Sequence, residues 1–148
     1  MTSGYLFDTS VVSILAPGRS EATPAFSNWV GERDRQLFVS TTTVVEIQQG
    51  VARLIRNGSK SRATVIGRWL EDLLETTGSN TLPLSVEVAR HAGNLSDFAY
   101  SIGRHPGLAD ILIAATAQVH GLTLLTRNVR HFEPLGIEVI DPLVTLPG

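Results

Sequence analysis

The strongest constraint on the fold of this chain is the alternation of short apolar runs with longer helical patterns along its 148 residues. Parallel strands need crossover connections, usually helices, and helices that cover both faces of a sheet leave its strands apolar throughout. The alternation therefore predicts a three-layer α/β fold, with helices on both faces of a short, mainly parallel sheet of four to five strands. The candidate strands are residues 5–7, 37–40, 81–84, 122–126 and 137–140.

Helical periodicity and stop signals define the segments between these strands. Asn57 and Gly58 form a strong stop signal after the third helix. Pro83 cannot donate to a central ladder, so its strand is expected at an edge of the sheet. No repeat or linker divides the chain, and we expect a single domain over residues 1–148. The predicted helices cover residues 9–15, 24–31, 44–56, 61–76, 86–102 and 108–120.

Composition excludes several classes of function. The chain has no cysteine, which rules out a disulfide scaffold, thiolate metal ligands and a cysteine nucleophile. The sequence shows no signal-peptide pattern and no apolar stretch of the roughly 18–20 residues that span a bilayer. We therefore expect a soluble, cytoplasmic protein without membrane contact. The net charge of −2 argues against a domain that binds nucleic acid through bulk positive charge.

Four polar residues lie where the predicted strands end or the following helices begin. Asp8 follows the first strand directly, and Glu46 is predicted in the first turn of the helix after the second strand. Asp110 is predicted in the first turn of the apolar helix, and Asn128 comes two residues after the strand that ends at Thr126. Open α/β sheets bind ligands at the carboxyl ends of their strands, so topology predicts a site that contains these residues.

Each of these residues also has a structural interpretation. Asp8 and Asn128 are common helix-cap or turn residues, and Thr43 with Glu46 forms a capping-box pattern. Asp110 differs, because its helix is apolar almost all the way round and contains no lysine or arginine. A helix dipole offers a carboxylate only about 0.3–1 kcal/mol. A cation from outside the helix is the better counter-charge, which favours a functional role for Asp110.

A cluster of carboxylates predicts a hard divalent cation. At an effective dielectric constant near 20, two carboxylates about 4–5 Å apart repel by roughly 3–4 kcal/mol, and a bound cation removes this penalty. Oxygen ligands without thiolates favour Mg²⁺ or Mn²⁺ over zinc. Such an ion acidifies a water molecule and stabilises charge on a phosphate, which points to phosphodiester hydrolysis. Asn128 is neutral where a fourth acid could stand, which would weaken a second metal site and leaves open whether one or two ions act.

Four segments of the sequence resemble PIN-domain nucleases, in particular the FitB-like group of VapC toxins from type II toxin–antitoxin systems of bacteria. These segments occur in the family's order and extend across nearly the whole chain. They are FDTSVVS at 7–13, STTTVVEIQQG at 40–50, ADILIAATA at 109–117 and HGLTLLTRNVRHF at 120–132.

The resemblance implies a PIN fold and an endoribonuclease that depends on Mg²⁺ or Mn²⁺. It also implies inhibition by a VapB-type antitoxin and assembly into homodimers. By matching position, Asp8, Glu46 and Asp110 would be the acidic triad that holds the metal, and Asn128 would occupy the fourth catalytic position. Three further residues would lie near the metal or the RNA substrate, namely Thr9, Thr126 and Arg127.

Two alternatives stay open from the sequence. A haloacid-dehalogenase-like phosphatase also begins with an aspartate after its first strand, but it needs a second aspartate where this chain has Ser10. It also needs a lysine at the phosphate, and Lys60 lies in a polar segment at a helix start. The second alternative is a PIN-like binding module with weak or lost catalysis, which Asn128 keeps open.

Overall fold

The computed structural model describes residues 4–148 and contains one five-stranded, fully parallel sheet with the strand order β3-β2-β1-β4-β5. The sequence predicted four to five mainly parallel strands, and the structure confirms this sheet with five strands. The prediction that proline places the third strand at an edge is also confirmed. The strands are β1 (Tyr5–Phe7), β2 (Leu37–Ser40), β3 (Thr81–Leu82), β4 (Thr123–Leu125) and β5 (Val139–Ile140).

Seven α-helices within residues 4–148 connect and cover these strands. Six were predicted, with bounds correct to within one or two residues except at the end of α1, which continues as a 3₁₀ turn, and at the start of α3. The short helix α7 was not predicted. Short 3₁₀ turns at 13–15, 34–36, 78–80 and 133–135 complete the connections. The helices are α1 (Thr9–Val12), α2 (Pro24–Glu32), α3 (Thr41–Arg56), α4 (Lys60–Thr77), α5 (Val86–Ser101), α6 (Leu108–Val119) and α7 (Val129–Phe132). No helix within residues 4–148 is both long and apolar enough to cross a membrane.

The side chains of the strands divide the core into two layers. Successive residues of a strand point to opposite faces, so Leu6 packs under α5 and α6, whereas Phe7 packs against α1, α2 and α4. Leu124 and Leu125 repeat this division on β4. Helices cover both faces of the sheet, so its polar side chains lie at the carboxyl ends of the strands.

Helix α3 begins earlier than the sequence pattern indicated. Ser40, the last residue of β2, is its N-cap and accepts a hydrogen bond from the Thr43 backbone N–H at 3.2 Å. The predicted capping box with Thr43 as its first member is therefore wrong, because the chain enters the helix directly from the strand. As a result, Glu46 lies in the second turn of α3 rather than in the first.

Candidate active site

The topology places Asp8 beside Thr126 at the carboxyl edge of the sheet. Strands β1 and β4 are neighbours, with Phe7 paired to Leu125, and the Asp8 backbone N–H donates to the Leu125 carbonyl at 2.8 Å. The direction in which strands are added to the sheet reverses between β1 and β4, and open α/β sheets form their ligand crevice at such a switch point. Asp8 and Thr126, which are 118 residues apart in the sequence, therefore meet at the predicted edge of the sheet.

Two hydroxyl groups hold the carboxylate of Asp8. Ser10 Oγ and Thr126 Oγ1 each donate to Asp8 Oδ2 at 2.7 Å, and Asp8 is only 4% exposed. Although Asp8 occupies the N-cap position of α1, its side chain makes no capping hydrogen bond, so the structural interpretation of this residue as a cap is wrong. Neither hydroxyl bonds Oδ1, which leaves that oxygen as the one that can bind a ligand.

The same hydroxyls position the loop after β4. Ser10 Oγ accepts the Arg127 backbone N–H at 3.2 Å, and Thr126 Oγ1 accepts the Asn128 backbone N–H at 3.0 Å. Asn128 is at the N-cap position of α7, where its exposed side chain makes no capping bond. The Arg127 guanidinium lies 3.9 Å from the carboxylate of Glu21. The structure thus brings Asn128 to the same edge, with its amide directed to solvent.

Asp110 lies in the first turn of α6, as predicted, with a half-buried side chain. Burial raises the pKa of Asp110 above its ordinary value, and the negative charge of Asp8 raises it further. His131 Nδ1, from α7, lies 3.3 Å from Asp110 Oδ2 and acts in the opposite direction. Asp8 and Asp110 are therefore close enough to interact electrostatically, and the side-chain partner of Asp110 comes from another helix.

Glu46 has a different environment. Its Oε1 accepts a 2.6 Å hydrogen bond from Thr9 Oγ1, which lies 2.8 Å from Thr43 Oγ1. Glu46 is half-exposed, and its contact with Thr9 links α3 to the residue that follows Asp8. The structure therefore ties Glu46 to the edge of the site through Thr9 rather than directly to the other carboxylates.

The three predicted ligands do not form one compact cluster. Within residues 4–148, no three His, Cys, Asp or Glu side chains are arranged as a group that could hold a metal. Like charges repel in the absence of a cation, and the hydroxyl of Thr9 gives Glu46 an alternative partner. The pair of Asp8 and Asp110 still fits a hard cation, because Mg²⁺ takes only one or two direct carboxylates and retains waters.

Two residues of this site carried no assigned role in the sequence analysis. Ser10 entered only as the absence of a second aspartate, although a hydroxyl two residues after an acid can hydrogen-bond to it. His131 was part of a matched segment, but its contact with Asp110 joins two helices and has no local sequence signal.

Comparison with known families identifies the class of this fold and site. The model of the PIN domain family matches residues 5–135, and the chain belongs to this family. It is 31% identical over 139 residues to VapC ribonuclease Y4jK of Sinorhizobium fredii, covering 93% of this chain and 96% of the relative. It is 32% identical over 138 residues to toxin FitB of Neisseria gonorrhoeae, again covering 93% of this chain and 96% of the relative.

Solved structures show the same fold. The crystal structure of FitAcB from Neisseria gonorrhoeae superposes with a TM-score of 0.79 at 30% identity, covering 93% of this chain and 97% of that one. A toxin–antitoxin complex from Klebsiella pneumoniae superposes with a TM-score of 0.60 at 27% identity, covering 94% of this chain and 98% of that one. The predicted PIN-like α/β fold and the predicted family are confirmed.

Family membership also removes the phosphatase alternative. Ser10 is a hydrogen-bond donor to Asp8 and not the second carboxylate that this chemistry needs. Lys60 lines a separate cavity with Ile55, Ala63 and Thr64, where none of the candidate site residues lies.

Proposed function

We propose that this chain is a divalent-metal-dependent endoribonuclease, a VapC-like toxin. The observation that carries the proposal is the buried carboxylate of Asp8, fixed by two hydroxyls at the switch point of the sheet and close enough to Asp110 for their charges to interact. The similarity of this chain to a protein named VapC ribonuclease supports RNA as the substrate. In this proposal Asp8, Asp110 and Glu46 bind the ion, which is Mg²⁺ or Mn²⁺.

The residues of the chain would act by holding and neutralising charge. Ser10 and Thr126 orient Asp8, because both hydroxyls donate to the same carboxylate oxygen. The bound ion would supply an acidified water and charge stabilisation at the phosphate. Thr9 positions Glu46, Asn128 offers a neutral amide at the fourth position, and Arg127 is a candidate contact to phosphate.

Mapping of cleaved RNA ends tests this activity. We expect new 5′ ends after brief expression of the wild type, and their loss in Asp8→Asn and Asp110→Asn variants. Asp72→Asn, which removes an exposed acid from α4, is the matched control and keeps the activity. In vitro, a chelator abolishes cleavage and Mg²⁺ or Mn²⁺ restores it. Full activity in chelator, or unchanged cleavage in both site variants, would contradict the proposal. A wild type that folds but never cleaves RNA would favour the binding-module alternative.

We further propose that a VapB-type antitoxin inhibits the chain and that the chain forms homodimers in the cytoplasm. A neighbour of this fold is a toxin–antitoxin complex, and a similar protein is named toxin FitB. A small reading frame immediately upstream is the expected source of the antitoxin. Its product, mixed at equal concentration, is expected to stop RNA cleavage, and light scattering would give the mass of the free chain. A product that binds but leaves cleavage unchanged would contradict the inhibition, and a monomeric mass would contradict the homodimer.

A further inference from the structure

A cavity that Glu46 does not line lies against Asp110. Its volume is about 230 Å³, and its walls come from the loop between α5 and α6 and from α7. The lining residues are Arg104, His105, Pro106, Gly107, Asp110, Arg130 and His131. Four of these seven residues are arginine or histidine, although the net charge of the whole chain is −2.

The two arginines of this cavity have no carboxylate partner. Arg19, Arg33 and Arg127 each lie within 4 Å of a glutamate. Arg104 and Arg130 have no such ion pair within residues 4–148. The one acid in the cavity wall, Asp110, already contacts His131. The charge of the two arginines is therefore available to a ligand, and the planar guanidinium matches phosphate oxygens in particular.

The position of the cavity indicates which phosphate it would hold. Arg130 and His131 also line a larger groove of about 780 Å³, together with Asn128 and the apolar side chains of Val139 and Ile140. The wall between the two cavities thus lies beside Asp110. An RNA strand that crosses the carboxylates would leave a backbone phosphate at the small cavity and its continuation in the larger groove.

His105 adds an aromatic element to this wall. Its ring lies 5.4 Å from that of Tyr100 in an edge-on arrangement, and Tyr100 is 70% exposed. This contact ties the loop that carries Arg104 to the end of α5. Exposed aromatic rings beside positive charge are typical of surfaces that bind single-stranded nucleic acid.

We propose that Arg104 and Arg130 form a phosphate-binding subsite next to Asp110, which holds the backbone phosphate adjacent to the scissile one. This inference rests on the proposed ribonuclease function, and it assigns residues from the α5–α6 loop and α7 to substrate binding. Neither arginine has a local sequence signal for this role.

RNA binding in varied salt tests the subsite without cleavage. The probe is a fluorescein-labelled, randomised 20-nucleotide single-stranded RNA, measured by anisotropy with the Asp8→Asn protein. We expect the double variant with Arg104→Ala and Arg130→Ala to lower the slope of log affinity against log salt by about 0.7, one single-strand phosphate contact. Because both side chains share one phosphate, either single variant loses no more slope than the double one. Arg90→Ala, on the exposed side of α5, is the control and leaves the slope unchanged.

Cleavage kinetics give a second readout. A phosphate beside the scissile one is held equally in the ground state and the transition state, so KM rises about tenfold while kcat stays within about twofold. Slopes and KM values equal to those of Arg90→Ala would overturn the subsite, as would a loss of slope of about 1.4 in the double variant, the value for two separate phosphate contacts. Absence of cleavage by the wild type would instead overturn the ribonuclease proposal, and the salt slopes would still decide the subsite.

Discussion

Asp8 and Glu46 were expected to act together, yet their environments differ sharply. Asp8 is buried at the end of the central strand β1, where hydroxyls from two segments fix one of its oxygens. Glu46 is half-exposed in the second turn of α3 and depends on one bond from Thr9. Neighbouring strands hold the end of β1 on both sides, and this fixes the position of Asp8. The partly exposed side chain of Glu46 can instead change rotamer. The comparison predicts a graded response to substitution across the site.

The largest effect is expected for Asp8→Asn. The amide keeps the size of the side chain and can still accept from Ser10 and Thr126, but it loses the charge that the proposed ion needs. We expect RNA cleavage to fall by about 1000-fold, the scale at which a fixed electrostatic group contributes to a transition state. Circular dichroism and thermal unfolding would verify that the fold is retained. A loss smaller than that of Glu46→Gln would reverse the comparison.

Asp110→Asn is expected to reduce cleavage at least about 100-fold, because it also removes a charge that the proposed ion needs. The same variant is expected to stabilise the metal-free fold at neutral pH. The folded pKa of Asp110 is raised, so its contribution to stability is present below the unfolded pKa and is lost as pH rises through the folded pKa. The variant removes this pH-dependent loss. Urea unfolding of both proteins at neutral pH and below pH 3.8 measures the difference, which vanishes on the acid side.

Added Mg²⁺ or Mn²⁺ sharpens this test. An ion that binds only the folded wild type raises its Tm with concentration, whereas Asp110→Asn loses most of that rise. If metal stabilised the two proteins equally, Asp110 would not be a ligand.

The hydroxyl pair that holds Asp8 gives the next effect. Thr126→Val keeps the shape of a fully buried side chain and removes one of the two hydrogen bonds to Oδ2. Loss of a group that orients a metal ligand typically reduces activity by about 10–100-fold. Steady-state cleavage would measure this loss, and Thr76→Val, at an exposed position of α4, is the control. Equal activity of the two variants would show that strand geometry alone positions Asp8.

Glu46→Gln is expected to reduce cleavage by about 10-fold, at the lower end of that range. If Thr9 acts only through Glu46, Thr9→Val produces a similar loss and the double variant is no worse than either single one. A double-mutant cycle on cleavage rates measures this coupling. Additive losses would assign Thr9 a separate role at the substrate.

The smallest effect is expected for Arg127→Ala, below about twofold in KM. Hydrogen bonds from Arg19 lower the pKa of Glu21 to about 2, so Glu21 stays ionised and its charge competes for Arg127. Glu21→Gln frees Arg127 and is expected to lower KM slightly. A large rise in KM for Arg127→Ala would instead show that Arg127 contributes strongly to phosphate binding, as the family resemblance implied.

The sequence by itself determined the layered fold and most of the site's location. Apolar strands between helices define a parallel sheet, and parallel strands bring Asp8, Asp110 and Asn128 to one edge whatever their separation along the chain. Helix bounds also followed from local periodicity, since caps and stop signals act over a few residues. The exceptions were α7, which was not predicted, and the start of α3, where the sequence pattern placed the N-cap at Thr43 and the structure places it at Ser40.

The tertiary structure decided the partners of each charge. The contacts of Thr126 with Asp8, Thr9 with Glu46 and His131 with Asp110 join residues 118, 37 and 21 positions apart. No local pattern encodes such pairs, because each depends on strand register, helix rotation and the rotamer that packing permits. The same holds for Arg104 and Arg130, whose shared cavity beside Asp110 exists only after two distant segments meet.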